Sequence, residues 1–138
     1  MIKPEVLALL KSGRVATLGT IAPDGSPHLV PIVFAFDESV LVTAVDTKPK
    51  RSTRLARLAN IRRDPRVCIL VHNYSEAWHE LWWVRADGTA DIHERGAAFD
   101  RALEALMARY PQYQQTRVEG PVVRITIKRT TVWQAVPS

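Results

Sequence analysis

Apolar and polar residues alternate along this chain in blocks of changing period, and the blocks predict its elements. Residues 4–11 carry Val6, Leu7, Leu9 and Leu10 behind Pro4, with Gly13 just beyond, the pattern of a short amphipathic helix. Two β-rich runs, 14–21 and 27–36, flank Ala22-Pro-Asp-Gly-Ser26, a strong hairpin signal. A second turn at 37–39 leads into the apolar run 40–45, so three consecutive antiparallel strands form a meander. Residues 53–61 read as a helix that Asp64-Pro65 stops. The run 66–72 is apolar at successive positions, as in a strand covered on both faces. A polar loop over 74–80 carries Trp78, and 81–93 reads as one long strand, bent or bulged at Gly88. Phe99, Ala102, Leu103, Leu106, Met107 and Tyr110 share one face of a helix over 95–110. Residues 111–121 form a loop, and 122–133 alternate as the last strand.

Six strands and three helices result. The strands are mostly neighbours in sequence and do not alternate with helices, which disfavours a doubly wound parallel sheet. Six antiparallel strands of this length predict a mainly β, α+β fold: a small barrel with flanking helices, one domain over residues 1–138. At 138 residues the chain has room for one substantial core. No apolar run approaches the ~20 residues that span a bilayer, so no membrane contact is expected. The first residues lack the order of a signal peptide, and the single cysteine, Cys68, excludes an internal disulfide; both fit the cytoplasm.

Charge changes the picture most. Between Lys48 and Arg66 stand eight basic residues and one acid, Asp64, a net +7 in a chain whose total is +5; everything else sums to −2. The cluster separates the third strand from the second helix. A loop of cations leading into a helix N-terminus suits an anion, because backbone N–H groups and side-chain donors converge on phosphate or carboxylate oxygens. The alternative is a solvated basic face. Nucleic acid is disfavoured: the stretch holds no aromatic residue to stack on bases, and no zinc-finger, RNP-type or helix-turn-helix signature accompanies it.

Other chemistries find little support. His28, His72, His79 and His93 make no i, i+4 pair and meet no Cys-x-x-Cys, so no metal site is expected. Cys68 lies in an apolar strand with no base beside it, which favours an inert thiol over a nucleophile. No Gly-x-Ser-x-Gly elbow, Gly-x-Gly-x-x-Gly fingerprint or Walker loop is present. A basic loop beside a β-barrel, with tryptophans further along, suits a planar cofactor bearing phosphate. Trp82 and Trp83 read as core or dimer packing, whereas Trp78, in a polar loop, reads as a cover for a ligand.

The order of segments resembles the split β-barrel flavin-binding family, the pyridoxamine 5′-phosphate oxidase-like proteins, and within it the subgroup using the deazaflavin coenzyme F420. The resemblance is carried by Arg14-Val-Ala-Thr-Leu-Gly-Thr-Ile-Ala-Pro-Asp-Gly-Ser-Pro-His-Leu-Val-Pro31, the basic loop after Val45, Asn60-Ile-Arg-Arg-Asp-Pro-Arg-Val67, Tyr74-Ser-Glu-Ala-Trp78 and Leu81-Trp-Trp-Val-Arg-Ala-Asp-Gly88. It implies a homodimer with cofactor sites at the subunit interface. By position, Lys48, Lys50 and Arg51 are the loop cations, and Arg54 and Arg57 point from the helix to the phosphate or to an acidic tail. Pro31, Ile32 and Val33, with Thr43, Ala44 and Val45, border the ring, and Trp78 reaches the site, from either subunit. Many relatives have a shorter path here, with one lysine. The absence of an arginine cluster after Arg129 disfavours pyridoxamine-phosphate oxidation itself.

The expectation is an F420-dependent oxidoreductase passing a hydride between reduced deazaflavin and a small organic acceptor. The cofactor carries the chemistry and no side chain is assigned as catalytic. The alternatives are an FMN-dependent oxidoreductase of the same fold and a non-enzymatic F420- or flavin-binding protein.

Overall fold

The computed structural model describes residues 2–45, 51–115, 118 and 120–135, and of residues 51–55 the backbone only. Its elements are α1 (Pro4–Ser12), β1 (Ala16–Ile21), β2 (Pro27–Ile32), β3 (Ala35–Asp37), β4 (Val40–Ala44), α2 (Arg51–Arg63), β5 (Arg66–Asn73), a 3₁₀ turn (Trp78–Glu80), β6 (Trp82–His93), α3 (Ala97–Arg109), α4 (Gln112–Gln115) and β7 (Val122–Gln134). The seven strands form one antiparallel sheet in the order β2-β1-β5-β6-β7-β4-β3.

That order fixes the shape. β2 and β3 occupy opposite edges, yet only Val33 and Phe34 separate them in sequence. Two linking residues reach about 10 Å, so the sheet rolls until its edges nearly meet. β2 and β3 do not pair, and the roll is not closed by a ladder.

This corrects the expected six-stranded barrel and the simple meander. The run 27–36 is two strands, its first part pairing with β1 and its second with β4. The break has a cause in side chains distant in sequence. The Tyr110 hydroxyl accepts from the Phe34 N–H at 3.2 Å and lies 2.8 Å from the carbonyls of Phe34 and Arg14, to one of which it donates. Thr43 Oγ1 donates to the Val33 carbonyl at 2.7 Å. Side chains thus take the backbone groups that a continuous ladder would have used.

The first hairpin forms as its sequence predicts. Gly25 sits at φ 85°, and its N–H donates to the Ala22 carbonyl at 2.9 Å, while Asp24 Oδ1 accepts from the N–H and hydroxyl of Ser26. At Gly88 the β6–β7 register slips by one residue. A Cβ there would run into the Thr126 backbone, so only glycine lets the two long strands close up at the bulge.

Inside the roll lie Leu18, Leu41, Ile69, Val71, Val84, Val123 and Ile125, with Leu10 of α1 and Leu58 and Ile61 of α2 over them. A second cluster forms outside it, where Ala102, Leu106 and Tyr110 at the end of α3 pack on Ala35, Val42, Ala44 and Val122. β4 is therefore buried on both faces. β5, expected to be covered on both, is not: Val67, Ile69 and Val71 point inward, but Leu70 and His72 on the other face are exposed. Met107, expected on the packed face of α3, is also exposed at its margin. Among the described residues no helix is long and apolar enough to cross a membrane.

Candidate functional site

Two of the segments expected to border a flat ring converge. β2 ends at Ile32 and β4 at Ala44, and the Thr43–Val33 hydrogen bond ties the end of β4 to the two-residue link that follows β2. The Val45 N–H donates to the Pro121 carbonyl at 2.9 Å, anchoring the point where the chain leaves β4 for the basic loop. Pro31 is exposed on the outer face and Val33 is half-buried, whereas the side chains of Ile32, Thr43, Ala44 and Val45 are buried. Lys48 and Lys50 lie outside the described residues, as do the side chains of Arg51 and Arg54. Arg57 is half-buried, one turn before the packed residue Ile61.

The basic segment, continuous in sequence, is divided in the fold. Arg66 binds Asp64 through Nε at 3.0 Å and a terminal nitrogen at 2.7 Å; the side-chain and backbone hydrogen bonds from Arg66 hold that carboxyl down at about 2. Arg62 lies 3.8 Å from Glu94. Arg63 donates to the Ile21 carbonyl and, at 3.2 Å, to Asn60 Oδ1. These three arginines have protein partners. The other five cations, Lys48, Lys50, Arg51, Arg54 and Arg57, precede or occupy the first half of α2. Their donor chemistry, forked guanidinium groups with compact ammonium groups, fits phosphate and carboxylate oxygens. No group of three or more metal-ligating side chains occurs among the described residues.

Trp78 is 69% exposed on a braced turn. Ser75 donates to Glu80 Oε1 at 2.7 Å and accepts from the Ala77 N–H, and Asn73 Nδ2 donates to the Glu80 carbonyl. A large indole held outward on a fixed turn is suited to covering something. Trp82 packs on the main core, as expected, while Trp83 pairs across the sheet with Trp133.

The outer face of β2-β1-β5-β6-β7 is the other prominent surface. Leu29, Gly19, Cys68, Asp87 and Arg129 are successive partners across one row, and Pro31, Thr17, Leu70, Arg85 and Thr131 across the next. Gly19, Leu29 and Cys68 line part of a shallow, mostly apolar groove of about 330 Å³. Burial first, and then the Cys68–Asp87 hydrogen bond, push the Cys68 thiol up to about 11, which keeps it protonated at neutral pH.

A rolled antiparallel sheet whose two edge strands are joined by a two-residue link, without pairing, defines the class: a small split-barrel protein. The chain belongs to the pyridoxamine 5′-phosphate oxidase family, whose sequence model matches residues 2–135. Among solved structures it is similar to the Rv2991 protein of Mycobacterium tuberculosis (29% identity, TM-score 0.79, covering 98% of this chain and 86% of that one). It also shares its fold with an FAD-binding protein of Mesorhizobium loti (20% identity, TM-score 0.68, covering 96% and 92%). The heme storage protein HutZ of Vibrio cholerae has the same fold (15% identity, TM-score 0.69, covering 96% and 93%).

Proposed function

We propose that the chain is an oxidoreductase that uses a phosphate-bearing deazaflavin of the F420 type and moves a hydride between it and a small organic acceptor. The bound ring supplies the hydride chemistry. The protein's part is to bind, orient and exclude water. Lys48, Lys50, Arg51, Arg54 and Arg57 hold the anionic tail. Pro31, Val33 and the backbone of 43–45 border the ring, and Trp78 covers it. The observation that supports this reading is the order of the basic segment: Arg62, Arg63 and Arg66 at its end bind protein groups, while Lys48, Lys50, Arg51 and Arg54 stand in sequence between the end of β4 and the first turn of α2. A tail with a phosphodiester and several carboxylates matches that many cations better than a single phosphate does.

The active form in this reading is a homodimer. Leu29 is 66% and Trp133 45% exposed on the outer face, with Leu70 and Trp83 between them, a strip that a second copy would cover. Sedimentation measures this directly.

FMN is the second reading, since a protein of the same fold, that of Mesorhizobium loti, is FAD-binding and FMN is likewise a phosphate-bearing flavin. Titration with each cofactor separates the two: F420 binding at micromolar concentration with no flavin spectrum in the purified protein supports the first, and a yellow, FMN-loaded protein supports the second. The HutZ neighbour is named for heme storage, so carriage without turnover is a third outcome. Reoxidation of reduced F420 by added acceptors distinguishes an enzyme from a carrier.

A further inference from the structure

Asn60 is 3% exposed and lies between Leu58 and Ile61 on the packed side of α2. Asparagine is a poor helix former, and a buried amide costs free energy unless its polar atoms are matched, so helix formation and packing do not account for it. Both ends of the amide are matched. Nδ2 donates to Thr20 Oγ1 of β1 at 3.1 Å, and Thr20 is itself 3% exposed. Oδ1 accepts from Arg63 at 3.2 Å, and Arg63 also donates to the Ile21 carbonyl of β1. Apolar contacts such as those of Leu58 and Ile61 let a helix slide and turn over its support. A buried hydrogen-bond network is directional.

We infer that Asn60, through Thr20, is the positioning residue that sets the rotation of α2 about its axis and so aims the cations of its first half at the cofactor phosphate. This rests on the cofactor reading above. Arg57 stands three residues before Asn60, on the same face of the helix. A side chain ~5–6 Å from the helix axis moves about 2 Å when the helix turns by about 20°, more than the hydrogen-bond distance range tolerates. Asn60 and Thr20 are not among the residues assigned to hold the cofactor.

The test compares ligands that differ in the phosphate: FMN against riboflavin, and F420 against its phosphate-free chromophore. Asn60→Leu keeps the volume and removes the amide; Thr20→Val keeps the shape and removes the hydroxyl; Thr20→Ser restores the hydroxyl. The first two variants are expected to lower the preference for the phosphate-bearing member about tenfold, with the phosphate-free member bound within about twofold of wild type. Thr20→Ser should keep the wild-type preference. Should Asn60→Leu fail to fold, the Thr20 pair decides alone. An unchanged preference in Thr20→Val, or equal weakening of both members of a pair, overturns the inference while leaving the cofactor reading in place. A wild-type protein with no phosphate preference in either pair overturns the cofactor reading itself.

Discussion

Two polar ties fasten helices to this sheet, and they differ in what they do. The tie at the end of α3 is large and aromatic. The Tyr110 hydroxyl joins Phe34 and Arg14; the Arg109 guanidinium lies 4.8 Å from the Phe34 ring centre and donates to the carbonyls of Lys11, at 2.9 Å, and Gly13. Arg14 returns a bond to the Arg109 carbonyl at 3.2 Å, so the C-terminal ends of α1 and α3 are capped by arginines from each other's neighbourhood. This tie also breaks the second run into two strands and lets the sheet roll. The tie at the end of α2 is a single amide with a hydroxyl and one guanidinium. One holds the barrel together. The other holds a charged helix at one rotation, so damage to the two should separate stability from ligand affinity.

The largest expected effect lies on the α2 side. Charge reversal of Lys50 and Arg51 together should weaken cofactor binding about a hundredfold, ~2.7 kcal/mol, because two charge-assisted bonds become repulsions. Thermal unfolding should be nearly unchanged, and a titration beside a melting curve reads both. Next comes Tyr110→Phe, which leaves the buried Phe34 N–H without its acceptor. It should cost about 2 kcal/mol in urea unfolding and leave the ratio of FMN to riboflavin affinity as it was. A shift in that ratio would mean the α3 tie reaches the site.

The smallest effect concerns Asp37, which sits beside α3. Burial alone would raise its carboxyl. Hydrogen bonds and charge from Arg124, at 2.9 Å, and Arg101, at 3.2 Å, outweigh that and hold it below its ordinary 3.8. The resulting stabilisation is complete above the ordinary value and disappears as pH falls through the lowered one. Asp37→Asn should therefore flatten the acid limb of the stability–pH curve by about 1 kcal/mol or less.

Local features were legible in the sequence because their causes are local. Pro23-Asp24-Gly25 makes the hairpin and Gly88 marks the bulge, and both stand where expected. The basic segment was visible as charge. Its division was not, because the partner of Arg63 is the Ile21 carbonyl, 42 positions away, and that of Arg62 is Glu94. The split at Val33-Phe34 depends on Tyr110, 76 positions from Phe34. The exposed face of β5 could not be read from its composition, since a run of apolar residues looks the same under a helix, under a second subunit or in the open. For the candidate site, 31–33 and 43–45 were expected as neighbours from position, but that Ile32 and Val45 face the inside of the roll while Ala44 faces α3 follows from strand parity only once the register is known. Asn60 and Thr20 were missed. Their signal was present as a polar residue among apolar ones on a packed helix face, and a threonine in step with Ala16 and Leu18 on β1.

The central claim, that the cations leading into α2 hold the anionic tail of a flat redox cofactor, is tested most directly by titrating the wild-type protein with F420 and with its phosphate-free chromophore at two salt concentrations. The account predicts micromolar or tighter binding of F420, at least about tenfold weaker binding of the chromophore, and a preference that shrinks as salt screens the charges. Equal affinity for the two at low salt would contradict it.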